Sequence, residues 1–178
     1  LMGAGRTELF ETIFGLHQYR GTGNVYINEK QVDVKHPKDA IHEGLALIPE
    51  DRKNDGLVLD MPITKNMSLA SLETFTRNGL INETKEHNQA DHYRKKLNIK
   101  STLLKQPVVK LSGGNQQKVV IAKWLLTLPD ILFLDEPTRG IDVNAKNEIY
   151  KLIDDLAAQG KAIVIVSSEL PEIMAISD

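Results

Sequence analysis

Residues 111–118 read LSGGNQQK and run straight into an apolar helical stretch that reaches Trp124 and Leu126. A serine followed by two glycines at a helix start offers an anion a hydroxyl and bare backbone N–H groups, and the helix dipole favours negative charge there. The string reads as a phosphate-binding surface. Ser112 can also be an ordinary N-cap with Gly113 and Gly114 incidental, so a second motif has to decide between the two.

That motif lies downstream. Residues 131–137, ILFLDEP, put Asp135 and Glu136 at the C-terminal end of a buried strand, the edge of an open α/β sheet where ligands bind. Asp135 suits Mg2+, usually through water, and Glu136 suits polarising the water that attacks a γ-phosphate. An isolated Asp–Glu pair at a strand end is more often solvated or caps the next helix; the serine-glycine tip upstream reverses those odds. At 1–7, LMGAGRT matches the back half of the phosphate-binding pattern GxxxxGK[ST]. There Gly3 and Gly5 let backbone N–H groups wrap phosphates, and Thr7 supplies a hydroxyl for Mg2+. Arg6 stands at the lysine position, keeping the charge but replacing a compact ammonium with a planar fork.

Periodicity fills in the rest. Apolar Leu9, Ile13 and Phe14 predict a short helix from Thr7 to Phe14, opening after the glycines. A strand pair follows around Val25 to Val34 with a turn at Asn28 to Lys30. Ala40 to Gly44 reads as a helical turn and LALIP at 45–49 as a short buried strand. From Asp51 to Leu126 the texture is polar and predicts several helices joined by loops, an inserted lobe. ILFL at 131–134 and AIVIV at 162–166 flank a periodic helix from Val143 to Ala158, an order that implies a parallel sheet with a right-handed crossover.

The bulk numbers exclude several classes. With 178 residues, 41% hydrophobic and 26% charged, the expectation is one globular domain. No apolar run approaches the length that spans a bilayer, so any membrane link runs through a partner. A formal net charge of -2 with scattered basic residues points away from nucleic acid. The chain has no cysteine, which rules out disulfides and thiolate metal sites. LMGAGRTELF lacks the basic-then-apolar pattern of a secretory signal.

Taken together, LSGGNQQK resembles the signature motif of ABC ATPases, ILFLDEP their Walker B strand, and TRGIDV at 138–143 their D-loop, in that family's order. With PEDRKNDGL at 49–57, DEPTRGID and VSSELPE, the chain is most similar to the second, C-terminal nucleotide-binding domain of importer ATPases for ribose, xylose, galactose and related sugars. The resemblance implies an α/β fold of P-loop NTPase type, with a mainly parallel core sheet, a small antiparallel β part and a helical lobe at about 56–126. It also implies that residues 1–178 form one N-terminally truncated domain. The chain is expected to begin inside the phosphate loop, without the preceding strand or the adenine-stacking aromatic, and to bind ATP weakly or not at all alone.

The family implies ATP and Mg2+ as ligands, with each ATP held between the phosphate loop of one domain and the signature of another. Arg6, Thr7, Asp135 and Glu136 then serve this domain's own nucleotide, Glu136 as the catalytic carboxylate. Ser112, Gly113, Gly114 and Gln116 of the signature act on the partner's, and Asp142 couples the two. Where most ABC domains carry a γ-phosphate histidine this chain has Ser168; its histidines are at 17, 36, 42, 87 and 92. Pro49-Glu50-Asp51 replaces the glutamine loop, with Glu50 as a candidate cation ligand and a solvated surface carboxylate as the plainer reading. With Arg6, these departures leave open a regulatory half that binds ATP but barely hydrolyses it. The implied partners are a second nucleotide-binding domain, a membrane permease and, indirectly, a periplasmic or lipid-anchored sugar-binding protein, on the cytoplasmic face of the bacterial membrane. ABC ATPases of translation or DNA repair carry long charged insertions absent here. Met61, Ile63, Met67 and Leu69 could meet the permease, but core packing is the favoured reading for them and for Trp124.

Overall fold

The computed structural model describes residues 5–17 and 23–177. Helix α1 (Arg6–Ile13) is followed by the antiparallel pair β1 (Val25–Ile27) and β2 (Lys30–Val32), in register Val25 opposite Val32. Both turn residues between them, Asn28 and Glu29, have positive φ, the backbone twist that a two-residue hairpin needs. Helix α2 (Pro37–His42) then leads into β3 (Leu45–Ile48).

The lobe comes next. Asp51 opens a wide helical turn, Arg52–Gly56, by accepting the N–H groups of Lys53 and Asn54. After it come α3 (Ile63–Ser68), α4 (Leu72–Phe75), the short strands β4 (Thr76–Arg77) and β5 (Leu80–Ile81), and α5 (Glu83–Lys96). The hairpin β4–β5 adds to the helices and loops expected for this segment. Its turn is Asn78–Gly79, both at positive φ, the strongest short-range hairpin signal. Ile63 and Met67 are fully buried and Leu69 is exposed, so the packing reading holds for the first two. A carboxylate buried in the lobe, Glu86, accepts from Lys65 at 2.7 Å and Ser68 at 2.5 Å, the satisfaction a buried charge requires.

The chain returns through α6 (Gly113–Leu125) to β6 (Ile131–Asp135), α7 (Val143–Ala158), β7 (Ala162–Val166) and α8 (Leu170–Ile176). The three long strands form a parallel sheet in the order β3-β6-β7, with Leu45 beside Ile131 and Ile131 beside Ala162. The two-residue alternation sorts their side chains. Leu45, Leu47 and Phe133 join Phe10, Phe14 and Ala40 on one face; Ala46, Ile48, Leu132 and Leu134 pack on the other with Val120, Ile121 and Ile149 from α6 and α7. Covering both faces is what lets LALI and ILFL be unbroken apolar runs. Trp124 packs edge-on to Phe14 at 5.3 Å, as the packing reading of that residue expects.

The parallel sheet, the small antiparallel pairs and the helices packed around them form an α/β fold. Among the described residues, no helix is long and apolar enough to cross a membrane.

Candidate functional site

Helix α1 starts at Gly5, whose φ of 70° places it in the left-handed region with nothing near a would-be Cβ. Glycine takes that conformation without strain and leaves the helix N–H groups open. At the second position of the helix, Thr7 Oγ1 donates to Asp135 Oδ2 at 2.6 Å. Asp135 is 2% exposed, and burial raises its carboxyl above the usual range while the Thr7 hydroxyl pulls the other way. Its second oxygen, Oδ1, is buried without a hydrogen-bond partner among the described residues. A carboxylate oxygen left so is costly unless something else takes it up.

Thr7 and Asp135 line a cleft of roughly 240 Å3 with Glu11, Pro49, Glu50 and Asp51. A hydroxyl and an orphaned carboxylate oxygen side by side fit Mg2+, which takes one or two protein oxygens and completes its shell with phosphates and water. Glu50 reaches the cleft, but its carboxylate is paired with Arg139, so a guanidinium takes the place of the cation considered for it. Gly3 lies outside the described residues.

Glu136 sits just past the strand end with φ 46°, a conformation that costs a non-glycine residue about 1–3 kcal/mol and persists only where surroundings impose it. The imposition is visible: its N–H donates to Val166 O at 2.8 Å and its carbonyl accepts from Arg139 N at 3.0 Å. Its side chain meets Ser168, whose Oγ donates to Glu136 Oε2 at 3.1 Å. Arg6 Nη1 reaches the carbonyl of the adjacent Ser167 at 3.3 Å. Arg6, Glu136 and Ser168 thus converge on one sheet edge, as expected from their places in the sequence.

The signature string lies outside that cleft. Ser112 stands at the N-cap of α6 but makes no side-chain cap bond. Its hydroxyl instead accepts from Asn115 Nδ2 at 2.9 Å and remains exposed, so the plain N-cap reading is not realised. No residue of 111–118 lines the Thr7–Asp135 cleft. Gly113 faces Arg52, where an added Cβ would lie 2.8 Å from Nη2, and Gly114 faces Ala145, where it would lie 2.4 Å from Cβ. Gln116 corrects the expectation that it joins the ligand surface. It is 5% exposed and its amide donates to Val108 O at 3.4 Å, because one turn into α6 its side chain is directed into the core. Asp142 caps α7 by accepting from Ala145 N at 3.0 Å.

Sequence reasoning missed Arg52. It donates to the carbonyls of Arg139 at 2.8 Å and Gly140 at 3.2 Å, tying the loop after β3 to the loop after β6 between the cleft and the signature tip. The string PEDRKNDGL marked its neighbourhood, but only the meeting of loops distant in sequence reveals the bond.

Known proteins resemble this chain in sequence and in fold. The family described as ABC transporter matches residues 2–139. The chain is 54% identical over 178 residues to a ribose import ATP-binding protein of Rhodopirellula baltica and 53% identical to a xylose import ATP-binding protein of Geobacillus kaustophilus. Each alignment takes in all of this chain and 35% of the relative, so the chain spans about a third of the length of the curated relatives it matches. Among solved structures, a nucleotide-free ATP-binding cassette from an ABC transporter aligns with TM-score 0.81 at 21% identity, over 100% of this chain and 72% of the other. A dimeric cassette in a post-hydrolysis state, bound to ADP and Pi, aligns with TM-score 0.78 at 22% identity, over 98% and 75%. At such identities the structures speak to fold alone.

Proposed function

This chain belongs to the ABC transporter family, and on that footing we propose that it is the C-terminal ATPase domain of a sugar importer's ATP-binding protein. It powers uptake of a monosaccharide by binding and hydrolysing ATP. The import proteins for ribose and xylose to which it is 54% and 53% identical support the substrate class, and their greater length supports a second ATPase domain in one polypeptide. A membrane permease and a periplasmic or lipid-anchored sugar-binding protein complete the assembly, with the domain peripheral on the cytoplasmic face.

The observation that carries this reading is the separation of two anion-binding devices. No residue of 111–118 lines the cleft with Thr7 and Asp135, and the Ser112 tip is exposed, which suits an ATP held between two such domains. Gly5 and the first N–H groups of α1 bind the phosphates, and Arg6 neutralises them. Thr7 Oγ1 and Asp135 Oδ1 would hold Mg2+, which when bound would offset negative charge on the phosphates. Glu136 orients the attacking water and takes its proton, with Ser168 fixing one carboxylate oxygen. Ser112, Gly113 and Gly114 offer a hydroxyl and a helix tip to the nucleotide of the facing domain. A carboxylate held ready at Glu136 favours turnover over a site that only binds.

The test uses the full-length protein assembled with its permease in vesicles, following ATP-driven uptake of labelled ribose or xylose. Wild-type protein is expected to accumulate sugar, Glu136→Gln to bind ATP without accumulation, and Ser112→Ala to lose uptake while this domain's own cleft still binds nucleotide. Uptake that is indifferent to Glu136→Gln would overturn the proposal.

A further inference from the structure

We propose that Glu172 is a positioning residue for ATP hydrolysis, a buried carboxylate that holds the segment after β6 against the segment after β7 and so sets where Glu136 and Ser168 stand. The inference rests on the ATPase reading above.

Glu172 lies in the first turn of α8 and is 2% exposed. One oxygen accepts from Thr138 Oγ1 at 2.6 Å, and the other accepts from Ser167 Oγ. Both donors are themselves buried, Thr138 at 1% and Ser167 at 8%. Ser167 Oγ also accepts the N–H of Glu169 at 3.0 Å, which orients its hydroxyl proton toward Glu172. The nearby cation, Lys146, is engaged with Glu169 at 2.6 Å, so hydroxyls rather than a lysine satisfy Glu172.

A buried carboxylate is a costly way to join two loops when an apolar contact would serve. What the carboxylate adds is direction. Thr138 follows Glu136 by two residues and Ser167 directly precedes Ser168. The two loops gripped by Glu172 are therefore those that carry the Ser168–Glu136 hydrogen bond, and the carbonyl of Ser167 also receives Arg6. Glu136 keeps its φ of 46° only because its surroundings hold it. A carboxylate accepts from both hydroxyls at once. A glutamine has one accepting oxygen, so in Glu172→Gln one of the two hydroxyls must turn from donor to acceptor or lose its bond, which disturbs the geometry of one arm while keeping the size of the side chain.

The experiment measures single-turnover ATP hydrolysis by the full-length protein in its assembly with the permease, the other ATPase site inactivated, alongside nucleotide affinity and melting temperature. Glu172→Gln is expected to slow turnover about ten- to a hundredfold, with ATP affinity within about twofold of wild type and the melting point well above the assay temperature. Glu172→Asp, which keeps both oxygens, should recover part of the rate. Ser167→Ala supplies an independent reading, with the same split between rate and affinity, should Glu172→Gln fail to fold. Turnover equal to wild type in these variants overturns the positioning role and leaves the ATPase reading intact. A parallel loss of rate, affinity and melting point assigns Glu172 to the fold alone and also overturns it. A wild-type site with no turnover would overturn both.

Discussion

Ser168 donates its hydroxyl to Glu136 Oε2 at 3.1 Å, at the place where most ABC domains are expected to carry a histidine. In the proposed function the serine steadies the carboxylate that orients water. A neutral hydrogen bond of this kind contributes about 1 kcal/mol, so Ser168→Ala should slow single-turnover hydrolysis by about three- to tenfold. Glu136→Gln should slow it by about a hundredfold or more. In the double variant the serine should no longer matter, since its partner's function is gone. A serine effect that persists in full in the Glu136→Gln background would place Ser168 on the phosphate instead.

Asp135 should trade stability for metal binding. Burial raises its folded-state carboxyl above the unfolded value. The ionised form therefore weighs against the fold at neutral pH, and that cost is relieved as pH falls through the raised value. Asp135→Asn removes the charge yet can still accept from Thr7. It should raise the melting point of the nucleotide-free domain by about 2–4 °C while abolishing Mg2+-dependent nucleotide binding. In the wild type, Mg2+ affinity should decline over the same acidic range in which its melting point gains on that of Asp135→Asn. Calorimetric melts against pH with a parallel Mg2+ titration check both; a variant that melts earlier than wild type would contradict the assignment.

Much of this was legible in the residues themselves. β3 and β6 read clearly because burial on both faces demands unbroken apolar runs. α7 read clearly because Ile149, Ile153 and Leu156 repeat on one buried face behind the Asp142 cap. The pairing of Thr7 with Asp135 followed from motif order. Less legible was whatever depends on loops meeting: Arg52 reaches carbonyls 87 and 88 residues away, and Glu172 meets Thr138 across 34. Gln116 belonged to a recognised string, yet helix direction turned it inward. The β4–β5 hairpin had its Asn78–Gly79 signal and was overshadowed by the polar, helix-rich segment around it.

Lys123 gives a pH signature of its own. It is 8% exposed, donates to Gly56 O at 2.7 Å and lies over the Trp124 ring at 5.2 Å. Burial pushes its ammonium down to about 8, against about 10.4 for a free lysine. Between those values the unfolded chain holds a proton that the folded chain does not, so this residue's contribution to stability rises with pH across the window and is flat below it. Relative to Lys123→Met, wild type should gain on the order of 3 kcal/mol from about pH 8 to about pH 10.4. Denaturant unfolding followed by fluorescence of Trp124, the one tryptophan of the chain, reads this directly; a constant difference between the two proteins would show that Lys123 titrates normally.

The two signature glycines should respond differently to alanine. At Gly113 the added methyl would crowd the Nη2 end of Arg52, a flexible side chain that can shift at the expense of its hydrogen bond to Gly140 O, so Gly113→Ala should cost no more than about 1 kcal/mol. Gly114→Ala would drive a methyl to 2.4 Å from Ala145 Cβ, and neither atom can rotate away because each is fixed to a helix backbone. The first turns of α6 and α7 must then separate, an overpacking cost of about 1–3 kcal/mol. Removing the opposing methyl relieves it, since the Ala145 Cα would lie 3.7 Å from the new carbon, an ordinary contact. Ala145→Gly alone should cost up to about 1 kcal/mol for a glycine within a helix. The double variant should therefore be more stable than Gly114→Ala, whereas additive losses in the melts would mean that the two helices do not pack as closely as this contact requires.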